Sequence, residues 1–235
     1  IKLVFKMAII DIDFNFQQDS KCGDPDTDSQ KLYEAHKLLW SKELPNGKMF
    51  TLEIKSSNYG RFLIKNNLCM NLSSDRMCPH FVEKYNKFNN WLSDLEKEEL
   101  KYRVRTIGGH IVFPAHKKNG FTINQARGVS RKICDRFDLT LECIRRFYMD
   151  EKSPLSKTLI NYKDFFDLFV DFKGYVDFFL LQDFIDQKYQ VEFSLPFDNF
   201  NRTPLPQTID EYKHYKEHTI NLIKKRNKRI LESLS

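Results

Sequence analysis

The sequence offers no paired cysteines: its five, Cys22, Cys69, Cys78, Cys134 and Cys143, are odd in number, widely spaced and free of any CxxC pair. That pattern excludes a disulfide framework and a CxxC zinc or redox centre, and leaves reduced thiols that mostly pack. No apolar run approaches the ~18 residues that a membrane helix needs. The segment IKLVFKMAII runs straight into Asp11 and Asp13, which argues against a signal peptide, so a cytoplasmic protein without a membrane role is expected. Met7 is a candidate natural start, because IKLVFK before it carries no evident function. Low-complexity tracts, internal repeats and long flexible linkers are also missing, which argues against disorder and for one domain across residues 1–235 with a composition shift near residue 125. Nucleotide loops are missing too: there is no GxxxxGKS or GxGxxG, and IGGH at 107–110 is too short to cradle a phosphate.

What is present is a hydrophobic fraction of 41%, enough for a sizeable core, with 21 phenylalanines whose rings demand specific packing. The net charge of +6 modestly favours anionic partners without identifying one.

Periodicity predicts an α+β fold, β-rich in the N-terminal half and mostly helical in the C-terminal half. Residues 1–16 alternate as one or two strands, with Ile10, Ile12, Phe14 and Phe16 on one face and Asp11 and Asp13 on the other. CGDPDTDS at 22–29 reads as a loop, with Asp28 or Ser29 capping a helix that carries Leu32, Ala35, His36 and Leu39. Pro45-Asn46-Gly47 forms a turn before strand candidates at MFTLEI and 61–72, and a polar helix follows around 81–100. IGGHIVF, a KKNG turn and FTIN suggest a hairpin. One helix is predicted over 129–148 and another from Ser153-Pro154 to Phe169, broken by Gly174. FSLPFDNFNRTPLP is a connector, and Thr208 with Glu211 has capping-box spacing for a last helix that reaches Ile230.

LLWSKELPNGK, LSSD, TIGGHIVFP, TINQARG, DRFDLTLECIRRFY and DFKGYVDFFLLQD together resemble an uncharacterised bacterial family, a domain of unknown function, across roughly residues 30–230. The resemblance implies a bacterial or phage-related source and a single-domain architecture. It implies no activity and assigns no cofactor or catalytic residue.

On a continuous helix over 129–148, Arg131, Asp135, Asp138, Glu142 and Arg145 share one face. Opposite charges at this spacing usually pair, but three carboxylates in a stripe could hold a divalent metal for phosphodiester cleavage. Arg127, in NQARG between an expected strand and a helix, could meet a phosphate or carboxylate together with Arg131 and Arg136. KKRNKR at 224–229 supplies Lys224, Lys225, Arg226 and Arg229 as a basic run that could track nucleic-acid phosphates. HYKEH at 214–218 matches a zinc spacing in a poor context, and DPDTD reads as a cap and turn, not a calcium loop, because Ser29 and Ala35 stand where glycine and glutamate are needed. His110 reads as a hydrogen-bonded core or rim histidine, and Cys134 and Cys143 lack an identified base.

Three functions compete at this level. The first is binding of a nucleic acid or nucleotide through the Arg/Lys surface. The second is a toxin or phage-defence enzyme: either a nuclease using Asp135, Asp138 and Glu142 with a metal, or a transferase of ADP-ribose from NAD, with Glu192, Ser73 and Ser74 as candidates by type. The third is a protein-interaction module.

Overall fold

The computed structural model describes residues 10–56, 62–78, 86–116 and 120–234, and it is a mixed α+β protein. Strands lie in the first half and helices dominate the second, as the periodicity predicts.

The central sheet has four antiparallel strands in the order β3 (Leu52–Ser56), β4 (Phe62–Asn66), β5 (Asn71–Arg76) and β6 (His110–Pro114). A separate ribbon, β1 (Lys42–Glu43) with β2 (Met49–Phe50), is closed by the Pro45-Asn46-Gly47 turn. Helix α1 (Pro25–Asp28) packs on β5, and α2 (Gln30–Trp40) packs on β3 and β4. Ser29 caps α2 by accepting the Leu32 N–H at 3.2 Å, the cap that the sequence pattern predicts. Helix α3 (Asp94–Arg103) starts at a complete Ser93/Glu96 capping box. Its N-terminus falls well inside the expected 81–100 span, which is in part a short 3-10 helix at Asn86–Trp91 and whose residues 81–85 lie outside those described.

The second half carries α4 (Ile123–Val129), α5 (Phe137–Tyr148), α6 (Ser156–Ile160), α7 (Lys163–Phe166), α8 (Phe172–Phe178) and α9 (Ile209–Ser233). Phenylalanines in and just after α7 and α8 stack edge-on and tilted: Phe165, Phe169, Phe178 and Phe179 sit with centroids 5.0–5.3 Å apart in successive pairs. Each fully buried ring contributes about 1.5–3 kcal/mol through removal from water alone. A second, smaller cluster lies between α3 and α9, where Phe88 stacks on Tyr212 at 5.3 Å.

Several expected elements are rearranged. Residues 10–15 form turns instead of a strand; residues 1–9 of that prediction lie outside the described ones. FTIN does not pair with β6, because Thr122 and Gln125 close a capping box that starts α4; β5 is the partner of β6 instead. The helix expected over 129–148 is shorter: α4 ends at Val129, residues 130–136 turn, and α5 begins at Phe137. Between them Cys134 (φ 47°) and Asp135 (φ 60°) adopt left-handed backbone, held by Asp135 N–H donating to Arg127 O at 3.1 Å and Arg127 Nη2 donating to Asp135 O at 2.6 Å. The helix expected from Pro154 to Phe169 is likewise divided into α6, α7 and a 3-10 turn. Gly174 does not break a helix but lies inside α8, where a Cβ would stand 2.1 Å from Phe169 O; glycine is there for close approach. Thr208 caps α9 as predicted, whereas the Glu211 carboxylate accepts Gln207 N–H at 2.7 Å, one residue outside the expected box.

Candidate functional site

The break between α4 and α5 disperses the predicted charge stripe. Glu142 accepts from Arg145 at 2.8 and 3.0 Å and from Arg146 at 2.7 Å. Asp138 is bound by the Arg136 fork and also accepts Leu139 N–H at 3.0 Å and Ser194 N–H at 2.9 Å. Asp135 alone is carried away from these two, into a cleft shared with other elements. Among the described residues, no group of three or more His, Cys, Asp or Glu is arranged to hold a metal ion.

The arginines are equally committed. Arg127 is fully buried and donates to Thr140 Oγ1 at 3.2 Å, Arg76 O at 2.9 Å, Met77 O at 3.3 Å, Asp135 O at 2.6 Å and the Asp75 carboxylate. Arg136 pairs with Asp138 and donates to Pro204 O at 2.8 Å. Arg226 is fully buried and donates to the carbonyls of Phe179, Leu180, Gly108 and His110, so it ties α9 to the loop after α8 and to the start of β6. Arg229 forms a forked pair with Asp183 at 2.9 and 3.0 Å. Of the basic set read from the sequence, Arg131, Lys224 and Lys225 remain exposed; Lys224 Nζ lies 3.8 Å from Glu99. Glu192 is exposed and does not line the cleft.

The cleft itself has a volume of about 230 Å³ and is lined by Asp24, Asp26, Asp75, Arg76, Cys78, Asn124 and Asp135. Four elements build it. Asp24 and Asp26 come from the start of α1, Asp75 and Arg76 from the end of β5, Asn124 from the first turn of α4, and Asp135 from the left-handed turn before α5. Strand alternation aims Asp75 and Arg76 to opposite faces of β5, yet both reach the cleft because it sits at the strand end.

Burial pushes the Asp75 carboxyl up to about 7, with Asp26 and Asp135 adding to the rise and Arg127 opposing it. Asp26 goes the other way. Burial opposes its ionisation, but His110, Arg76 and Ser74 outweigh that and hold it at about 2. His110 Nδ1 stands 3.0 Å from Asp26 Oδ1, and Arg76 Nε 3.5 Å from Asp26 Oδ2. Tyr33 Oη donates to the Asp26 carbonyl at 2.8 Å and pins α1 in place. Asp24 accepts from Thr27 Oγ1 at 3.0 Å through Oδ2, while its Oδ1 is buried without a hydrogen-bond partner in the protein.

Of the other candidates, Cys143 is buried and its thiol is pushed up to about 12, so it is inert at neutral pH. The His214 and His218 rings stack at 6.0 Å, and His218 Nδ1 is bonded to Ser194 Oγ at 3.1 Å. His110 is a fully buried, hydrogen-bonded histidine, as its apolar sequence context predicts.

Asp24, Asp26, Asp75, Arg76 and Asn124 carry no local signal of a site in the sequence. DPDTD had the look of a local cap, LSSD of an ordinary strand, and only folding brings Asp26 and Asp75 together across 49 positions of numbering. The only signal within reach is a diffuse one: polar motifs punctuate otherwise apolar stretches in LSSD and TINQARG.

The fold and cleft define a small α+β protein with an acidic pocket at the end of an antiparallel sheet. The chain belongs to a family of unknown function, DUF6994, whose model matches residues 10–230. Comparison with curated proteins finds no match, and comparison with solved structures finds none.

Proposed function

We propose that the chain is an enzyme that cleaves a glycosidic bond in the acidic cleft. One observation carries this reading: two carboxyl groups of a single cleft, Asp26 and Asp75, are pushed in opposite directions by their surroundings. Such divergence assigns acid–base roles to otherwise identical side chains. Asp75, titrating near neutrality, gives a proton to the leaving oxygen or nitrogen as its bond to the anomeric carbon breaks and the bonding pair departs with that atom. Asp26 stays ionised and stabilises the positive charge that develops on the sugar ring. Water then adds to the anomeric carbon and its proton returns to Asp75. An incoming nucleophile other than water converts the same step into transfer, the ADP-ribose chemistry open to this class of site. The cleft volume lies below the ~300–1,000 Å³ of drug-sized pockets, which suits one sugar ring.

The test is turnover of NAD and adenosine by the purified chain, with Asp26→Asn and Asp75→Asn alongside. Cleavage lost in both variants, with their melting curves retained, supports the reading. Cleavage that survives Asp75→Asn, or no cleavage of either compound, overturns it.

A second reading, a nucleic-acid or nucleotide partner at the surface, is favoured by Lys224, Lys225 and Lys228 lying exposed on α9. Retention on a nucleic-acid matrix that falls steeply with salt and weakens in Lys224→Glu/Lys225→Glu supports it. Absence of retention at low salt removes it.

A further inference from the structure

Behind the cleft, a chain of polar contacts runs through the interior from α2 to Asp26. Trp40 Nε1 donates to His36 Nδ1 at 3.0 Å, His36 Nε2 stands 3.0 Å from Ser74 Oγ, and Ser74 Oγ stands 3.5 Å from His110 Nδ1, itself 3.0 Å from Asp26. His36, Ser74 and His110 are all buried, and none of them lines the cleft.

The chemistry of the donors fixes the direction of this chain. An indole nitrogen only donates, so His36 Nδ1 must accept and its one remaining proton sits on Nε2. Nε2–H therefore donates to Ser74 Oγ. The Ser74 hydroxyl, having accepted on that side, has its own proton to give on the other. An ionised carboxylate only accepts, so His110 Nδ1 gives its proton to Asp26, and the Ser74 hydroxyl gives its own to the same carboxylate, one of the contacts that hold Asp26 down.

We infer that His36 and Ser74 are positioning residues that hold Asp26 charged and oriented, through a one-way hydrogen-bond chain that begins at Trp40. The inference rests on the catalytic reading only for the use made of Asp26, not for the chain itself. Burial holds His36 far below the usual imidazole range, to about 3, so it remains a neutral link wherever the protein is folded near neutrality. The groups that face Asp26 are His110 from β6, Arg76, Ser74 and Asp75 from β5, and Tyr33 and His36 from α2. Of the groups that donate to the Asp26 carboxylate, Ser74 can be shortened without altering any formal charge.

Two NMR measurements on the full chain test this without any need for turnover. Nitrogen-15 spectra should report His36 as the neutral Nε2–H tautomer from pH 5 to 8. Carboxyl carbon-13 titration should place the Asp26 midpoint about one unit higher in Ser74→Ala than in the unmodified chain, with Ser74→Thr restoring it. Ser74→Cys, which keeps the side chain but weakens the donor, should fall between, and serves where Ser74→Ala is too unstable. A His36 proton on Nδ1, or an Asp26 midpoint unmoved in both Ser74→Ala and Ser74→Cys, overturns the inference. If the spectra behave as expected but neither NAD nor adenosine is cleaved, the positioning chain stands and the catalytic reading alone fails.

Discussion

Arg127 on α4 and Asp75 on β5 form a buried ion pair directly behind the acidic cleft, and the same guanidinium also grips the carbonyls of Arg76, Met77 and Asp135. One side chain thus joins a strand, a helix and the turn that delivers Asp135. Removing it by Arg127→Met leaves the buried Asp75 carboxyl and three carbonyls without this donor, for an expected loss of about 3–5 kcal/mol. Arg127→Lys should recover little of this, since an ammonium cannot spread over so many acceptors in one plane. Urea denaturation of both variants measures it.

The two cleft carboxyls give stability opposite dependences on pH. Asp75 has its folded value raised from 3.8 to about 7, so the native state holds the proton more tightly, and its contribution is present in acid and declines as pH rises from about 4 to 7. Asp26, lowered from 3.8 to about 2, contributes stability that is present above 3.8 and is lost as pH falls towards 2. Asp75→Asn should flatten the decline on the alkaline side of pH 4, and Asp26→Asn the loss below it. Urea midpoints recorded across pH 2.5 to 8 separate the two.

On the proposed glycosidic reading, removal of the titrating proton in Asp75→Asn should lower turnover by about 10²–10⁴-fold. It should also erase the limb of the pH–rate profile that reflects Asp75. Turnover against pH for both forms checks this.

Gly108 sits against α9, where its N–H donates to Asn227 Oδ1 at 2.6 Å and an added Cβ would stand 2.7 Å from Ile223 O. Backbone cannot retreat from such a contact as a flexible side chain can. Gly108→Ala is expected to cost about 1–3 kcal/mol, the range for overpacking a closed interior. A thermal melt of this variant beside the unmodified chain decides it.

Arg226 and Lys225 are adjacent in sequence and should behave in opposite ways. Arg226→Leu strips the donors from four interior carbonyls and should destabilise the fold by several times the ~1 kcal/mol net value of a single hydrogen bond. Lys225→Glu, on the exposed side of the same helix, should leave stability within about 0.5 kcal/mol. Denaturation midpoints of the two variants provide the comparison.

Local signals carried the α+β class, the Ser29 and Thr208 caps and the turn at Pro45-Asn46-Gly47, because a cap or a turn depends on residues within three or four positions of each other. Spacing alone also put Ile133, Phe137, Leu141, Ile144 and Tyr148 on one inward face; the first four are buried and Tyr148 is half-buried. Spacing could not reveal that the helix through them is broken. That break comes from Arg127 reaching eight positions ahead to bind the backbone of Asp135, an interaction whose stabilisation depends on burial that only the packed molecule supplies.

The same physics separates a charged residue from a site. Composition determined that the chain would carry many arginines and carboxylates and enough phenylalanine to bury a large interior. Tertiary structure decided which charges neutralise one another and which meet at a cleft, because both the strength of an ion pair and the ionisation of a carboxyl are set by distance and by exclusion of water. Asp138 and Glu142 were consumed by neighbours in sequence, whereas Asp26 and Asp75 acquired opposite titration only when a strand end and a short helix were brought face to face.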